Sequence, residues 1–209
     1  MNLPFAAMPG AAFISEHSTD IIPENIREAQ KRYGVPCLSQ EGCRFLALIA
    51  AIKKPAEAID IGCGIGASTT ALALGAPDAN ITALDANPER AALAGLLTSA
   101  RRVSVHHADA FAYLKENDKS YDMAFVDSIK KDYSGIWHIL RPRLSPGAVV
   151  LFDDVLLHGY TTEEEAEMPL KYRDGARELK AFLDEIKADA GLSSQIIPLS
   201  GGILLVSLK

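Results

Sequence analysis

Residues 56–68, Ala-Glu-Ala-Ile-Asp-Ile-Gly-Cys-Gly-Ile-Gly-Ala-Ser, constrain the fold more than any other stretch of the chain. Ala58, Ile59 and Ile61 read as a buried strand, Gly62, Gly64 and Gly66 as a tight turn, and the run from Ser68 to Leu74 as a helix that opens at once. Strand, glycine turn and helix in that order form the first unit of a doubly wound sheet. The glycines let backbone N–H groups approach a ligand, and the helix N-terminus beyond them favours a negative group. The spacing Gly62-x-Gly64-x-x-Ala67 also fits the dinucleotide fingerprint, and a βα turn without any ligand could use the same glycines. The motif alone leaves these open.

The rest of the chain alternates. Strands are expected at 80–84, 103–106, 121–126 and 148–152, separated by helices at 88–99, 109–114 and 133–140. Strands rich in Val, Ile and Ala between helices imply a parallel sheet covered on both faces. A long helix over 170–188 then precedes two short strands, 194–198 and 203–207, around Ser200-Gly-Gly, which read as a hairpin with one antiparallel edge strand. The expected fold is therefore α/β, a Rossmann-like doubly wound seven-stranded sheet closed by an antiparallel C-terminal hairpin strand. Ahead of it, 1–22 reads as an irregular arm and 24–33 as a polar helix. A second helix starts after Ser39 as N-cap, with Phe45, Leu46, Ile49, Ala50 and Ile52 as its apolar face.

At 209 residues the chain suits one domain. A net charge of −6 argues against a general nucleic-acid binder. Three cysteines without CxxC spacing fit a reducing cytoplasm better than a disulfide scaffold or a zinc site. No apolar run is long enough for a membrane span, and no basic residue precedes Arg27, so neither membrane insertion nor a signal peptide is expected.

In an open α/β sheet ligands sit beyond the carboxyl ends of the strands. Those ends carry Asp60, Asp85, Asp109, Asp127, Asp153 and Asp154. Acids gathered at one edge repel one another, and a cationic ligand or a metal gives them a reason to be there. Asp85 stands nineteen residues beyond Gly66, a spacing that suits a carboxylate accepting ribose hydroxyls, and it could equally cap the helix that begins at Pro88. Asp109 could cap the next helix or reach an adenine amino group. If the fourth and fifth strands are neighbours, Asp127 and the pair Asp153-Asp154 converge on a hard cation such as Mg²⁺. Lys130 follows Asp127 by three residues, and beside a dication its ammonium would be destabilised, which suits a general base. His158 and Tyr160 line an acceptor pocket or pack, and Trp137 belongs to the core. Lys171, Arg173, Arg177 and Lys180 read as a solvated helix face.

Taken together, Asp60-Ile-Gly-Cys-Gly-Ile-Gly, Asp85-Ala-Asn-Pro, Phe125-Val-Asp-Ser-Ile-Lys130 and Leu151-Phe-Asp-Asp-Val-Leu resemble the cation-dependent class I O-methyltransferases, the group of catechol and caffeoyl-CoA O-methyltransferases. Two stretches, Gly34-Val-Pro-Cys-Leu-Ser-Gln-Glu-Gly42 and Ile196-Ile-Pro-Leu-Ser-Gly-Gly, are similar to the bacterial tRNA 5-hydroxyuridine methyltransferase branch. The resemblance implies S-adenosylmethionine (SAM), a divalent cation, usually Mg²⁺, and a homodimer. It also implies that residues 1–55 cover the cofactor and acceptor site above a SAM-binding core at 56–209. By position, Asp60, Gly62, Gly64, Ser68, Asp85, Ala86, Asp109, Ala110 and Asp127 would line the cofactor site. Asp127, Asp153 and Asp154 would hold the metal, and Lys130, with Asp127 beside it, would do the chemistry.

Some positions depart from that pattern. Asp154 stands where Asn is usual, Ala108 where Gly is common, Ser200-Gly-Gly where Gly-Asp-Gly is usual, and the 171–180 segment is less basic than tRNA would call for. The expected reaction is methyl transfer from SAM to a hydroxyl of a chelating, catechol-like small molecule. Alternatives are a hydroxyuridine in tRNA, an NAD-dependent oxidoreductase, or a SAM-binding protein without catalysis.

Overall fold

The computed structural model describes residues 18–98, 102–164 and 168–209; most of the expected arm at 1–22 lies outside them. Two helices come first, α1 (Glu24–Tyr33) and α2 (Gln40–Lys53). Five parallel strands follow, β1 (Glu57–Ile61), β2 (Asn80–Asp85), β3 (Val103–His107), β4 (Tyr121–Val126) and β5 (Leu144–Phe152). Between them run α3 (Ala67–Gly75), α4 (Pro88–Leu97), α5 (Ala110–Glu116) and α6 (Tyr133–Leu140). The long helix α7 (Leu170–Ala188) leads into β6 (Leu192–Ile197) and β7 (Ile203–Leu208).

The seven strands lie in the order β3-β2-β1-β4-β5-β7-β6. Strand order reverses between β1 and β4, and a doubly wound sheet opens its ligand crevice at that reversal. β7 pairs antiparallel with both β5 and β6, so β6 runs in the same sense as the first five strands. The antiparallel strand is therefore not the edge, as the sequence suggested, but one place in from it. β7 is apolar enough to be covered by two neighbours, with Ile203, Leu204 and Val206 buried, whereas β6 (Leu-Ser-Ser-Gln-Ile-Ile) exposes its polar centre at the rim.

Local chemistry sets the helix starts. Ser39 Oγ accepts the Gly42 N–H at 3.1 Å, Asn87 Oδ1 the Arg90 N–H at 3.0 Å and Asp109 Oδ1 the Ala112 N–H at 3.0 Å, each at the first turn of its helix. The buried stripe of α2 is Gly42, Cys43, Leu46 and Ala50; Ile52, assigned inward from the sequence, is 70% exposed. Position 52 is two residues past Ala50, roughly 200° around the helix, and so points away from the face that Cys43, Leu46 and Ala50 share. β5 also begins earlier than expected, running through Pro146 and Gly147, because a register shift against β4 between Tyr121 and Met123 accommodates the missing proline N–H.

Two apolar layers sandwich the sheet. One holds Trp137, Tyr133, Phe152 and Phe182, with Phe152 and Phe182 packed edge to face at 4.8 Å. The other joins Ile26, Leu46, Ile65 and Leu72 to Phe125 and Leu151. Trp137 is fully buried in the first layer, as its spacing predicts.

Candidate active site

The glycine turn that ends β1 is held by backbone bonds to the neighbouring strand: the Gly62 and Cys63 N–H groups both donate to Leu84 O, at 2.8 and 2.9 Å. Gly62 has φ 87°, and a Cβ there would lie 1.9 Å from Asp127 O, so only glycine lets the turn rest against the end of β4. A Cβ on Gly64 would meet nothing nearer than 3.9 Å, so the middle of the turn faces open space.

Asp85 ends β2 beside that turn. Its Oδ2 accepts the Gly64 N–H at 2.9 Å and its Oδ1 the Asn87 N–H at 2.8 Å. A carboxylate offers about four acceptor positions, so two remain. Asp60 is fully buried beneath the turn, its Oδ2 accepting the hydroxyls of Ser68 at 2.8 Å and Thr69 at 2.6 Å, while Oδ1 has no partner. Burial pushes the Asp60 carboxyl up to about 7 against the pull of those two hydroxyls. Asp60 and Ser68 thus bind each other under the turn. Ala86 is exposed just past β2, and Asp109 and Ala110 stand at the start of α5, with Asp109 used as its cap.

The second cluster lies at the ends of β4 and β5. Val126 pairs with Phe152, and the Asp153 N–H donates to Val126 O at 2.9 Å, so Asp127 and Asp153 leave adjacent strands side by side. Lys130 sits at the first residue of a 3₁₀ turn and points back to them. Its Nζ donates to Asp127 Oδ1 at 3.0 Å, to Tyr133 Oη at 2.7 Å and to Asp153 O at 3.2 Å, and stands 3.9 Å from Asp154 Oδ2. Three donors meet three acceptors, so the ammonium is fully satisfied. Tyr133 is buried and its hydroxyl donates to Asp153 O at 2.7 Å. The spacing Asp127-x-x-Lys130-x-x-Tyr133 was the available signal for this tyrosine, which sequence reasoning used only to start a helix.

Burial, and next the charge of Asp127, push the Asp153 carboxyl up to about 8. Burial likewise raises Asp154. Asp153 Oδ1 is buried without a hydrogen-bond partner, an expensive arrangement for a carboxylate. Asp154 has φ 52°, a left-handed conformation that Asp and Asn tolerate better than other side chains. The cavity in front of these groups has a volume of about 320 Å³. Its walls are Asp127, Asp153 and Asp154 on one side, Pro36 and Cys37 ahead of α2, and His158, Ser200 and Gly201. Among the described residues no three acidic, histidine or cysteine side chains already converge as a metal cage; the Lys130 ammonium stands between the carboxylates of Asp127 and Asp154 and against the Asp153 carbonyl. The donor set nonetheless fits a hard divalent cation: it is all oxygen, it carries excess negative charge, and one buried oxygen lacks any partner.

His158 lines the cavity, held there by a left-handed run in which Leu157, His158 and Gly159 have φ of 45°, 58° and 96°. Tyr160 instead packs, stacked on Tyr172 with ring centroids 4.7 Å apart. Pro36 and Cys37 belong to the Gly34–Gly42 stretch, and their approach to the cavity depends on how α2 docks against the core. Burial raises the Cys37 thiol to about 11, so it lines the wall as a neutral group.

The model of the O-methyltransferase family matches residues 14–209. The chain belongs to that family. Among its relatives, a caffeoyl-CoA O-methyltransferase of Mesembryanthemum crystallinum is 28% identical over 88% of this chain and 79% of its own length. Tapetum-specific methyltransferase 1 of Arabidopsis thaliana is 28% identical over 95% and 89%. The SAH-bound Podospora anserina methyltransferase PaMTH1 superposes with a TM-score of 0.81 at 23% identity, covering 99% of this chain and 98% of that one. The protein is an O-methyltransferase related to caffeoyl-CoA O-methyltransferases. This settles the fold and the enzyme class, and the oxidoreductase and non-catalytic alternatives fall away. The link to a tRNA hydroxyuridine branch gains no support from these relatives.

Proposed function

We propose that this O-methyltransferase moves the SAM methyl group to one hydroxyl of a catechol-like small molecule, with a divalent cation, Mg²⁺ by its preference for oxygen ligands, held by Asp127, Asp153 and Asp154. The single observation that carries the reading is the strand-end acid cluster, with Lys130 Nζ 3.0 Å from Asp127 Oδ1 and 3.2 Å from Asp153 O while the buried Asp153 Oδ1 has no partner. When bound there, a dication would supply positive charge that stabilises the deprotonated form of an acceptor hydroxyl.

This chain's residues do the rest. Pro36, Cys37 and His158 bound the space for the acceptor, which supports the reading that residues ahead of β1 cover the site. Gly62, Gly64, Asp85, Ala86, Asp109 and Ala110 lie along the donor side, where the open face over Gly64 and the two remaining acceptor positions of Asp85 suit the amino-acid and ribose parts of SAM. Lys130, entering the reaction as the neutral amine, takes the hydroxyl proton at Nζ and becomes the ammonium, and the Tyr133 hydroxyl beside it orients Nζ. The oxyanion then attacks the sulfonium methyl in line, and the C–S bond breaks as the C–O bond forms. Most of the acceleration is positioning and charge stabilisation.

A small acceptor is favoured over tRNA by how the basic groups of α7 are used. Lys180 Nζ donates to Glu163 O at 2.7 Å, Arg173 Nε to Met168 O at 3.1 Å, and Arg177 pairs with Asp174 at 2.6 Å. Lys171 lies over the Tyr172 ring. Three free cysteines support a cytoplasmic setting, no described helix is long and apolar enough to cross a membrane, and the homodimer is carried by family resemblance. Methyl transfer is to be assayed on a catechol panel and on total tRNA, each with Mg²⁺ or EDTA. Mg²⁺-dependent methylation of catechols is expected; transfer to tRNA alone would replace the small molecule by the RNA, and full activity in EDTA would remove the cation.

A further inference from the structure

We propose that the tail turn Ser200-Gly201-Gly202 is a positioning device for Asp154, holding its carboxylate in the cavity beside Lys130, and that Ser39 locks the turn in place. This rests on the reading of Asp154 as a cation ligand. The turn is spliced to the Asp154 segment by two backbone bonds, Val155 N–H to Gly202 O at 2.9 Å and Leu156 N–H to Gly201 O at 3.0 Å. Gly201, with φ 86°, lies flat against the carboxylate: a Cβ there would stand 2.5 Å from Asp154 Oδ1 and 3.3 Å from its Cγ. On the other flank, Asp154 Oδ2 stands 3.9 Å from Lys130 Nζ. One carboxylate oxygen is thus set by the turn and the other by the ammonium, which leaves the group no room to swing back against the tail.

The turn is itself held from outside. Ser200 Oγ lies 2.6 Å from Ser39 Oγ, the atom that caps α2. A Cβ on Gly42 would come within 2.5 Å of Ser200 Oγ, so the first turn of α2 closes directly on it. Asp154 and Ser200 both have left-handed backbones, φ 52° and 51°, and neither conformation is one the residue prefers alone. Each is imposed by the packing of the turn between α2 and the end of β5. A carboxylate that must meet a small cation gains from such support, since residues that orient metal ligands from behind change affinity by about 10–100-fold.

The test is Mn²⁺ binding in the presence of SAM, read as free Mn²⁺ by electron paramagnetic resonance, with SAM affinity measured by calorimetry. Gly201→Ala should weaken Mn²⁺ by about tenfold or more in the parent chain and not at all in an Asp154→Ala background, with SAM affinity unchanged. Unaltered Mn²⁺ affinity, or an equal loss in both backgrounds, overturns the proposal, because a turn that served folding alone would act without regard to residue 154. Should Gly201→Ala not fold, Ser200→Ala decides: several-fold weaker Mn²⁺ in the parent alone supports the proposal, and no change overturns it. A parent chain that binds SAM but no Mn²⁺ brings down the cation reading itself, before any variant is made.

Discussion

Along the strand-end edge, Asp60, Asp85 and Asp109 hold hydroxyls or backbone N–H groups of the chain itself, from their own following turn or helix or, for Asp85, from the neighbouring glycine turn. Asp127, Asp153 and Asp154, at the ends of the next two strands, gather around one lysine that meets only two of their carboxylates, and leave a buried oxygen with nothing. The first half is a scaffold in which each of these carboxylates already holds at least one donor from the chain. The second half is internally frustrated, and frustration of that kind is relieved by added positive charge. The difference teaches that the donor side is shaped by the fold, while the acceptor side is completed by what binds there.

The widest separation between the halves is expected from Lys130→Ala. Methyl transfer should fall by about 10²–10⁴-fold, the usual weight of a general base, while SAM affinity by calorimetry stays within a small factor. A parallel loss of SAM binding would show that the halves are one site. Gly62→Ala tests the wall they share: the new Cβ would meet Asp127 O at 1.9 Å, so a loss of about 3 kcal/mol in urea unfolding is expected, with SAM and Mn²⁺ binding both impaired.

The pH dependence of stability distinguishes the halves more finely. Asp60 and Asp153 hold their protons more tightly folded than unfolded, with values of about 7 and about 8 against an ordinary 3.8. Their contribution is therefore fully present below about pH 4 and is lost as pH rises through those two values. The Tm of the protein in EDTA should fall from about pH 5 to above pH 8. Asp60→Asn should flatten the lower part of that slope, and Asp153→Asn the upper. Mg²⁺ should counter only the part that Asp153→Asn removes; if it also abolished the Asp60 part, the division would be wrong. The smallest effect expected is that of Ser39→Ala, about 1 kcal/mol from the lost cap of α2, seen as a modest drop in Tm.

Most of the sheet was legible because βα alternation writes itself into the chain: glycines after Ile61, and an acid after each apolar run at Leu84, Val126 and Phe152. The acids of both halves could be named for the same reason, since strand ends converge in this architecture. What stayed hidden depends on docking. The partnership of Ser39 with Ser200 spans most of the chain, the outward turn of Ile52 depends on how α2 rolls on the core, and the two hydroxyls on Asp60 come from a helix that the glycine turn sets over it. The place of β7 inside the sheet is likewise a matter of pairing, because either strand of a hairpin could have joined β5.

Gly62 leaves nothing bulkier than a peptide between the turn after β1 and the carbonyl of Asp127. A synthetic inhibitor joining an adenosine-like head to a catechol-like tail would therefore need only a very short tether. Lengthening that tether should weaken it, because the extra atoms would have to buckle into solvent rather than follow the wall.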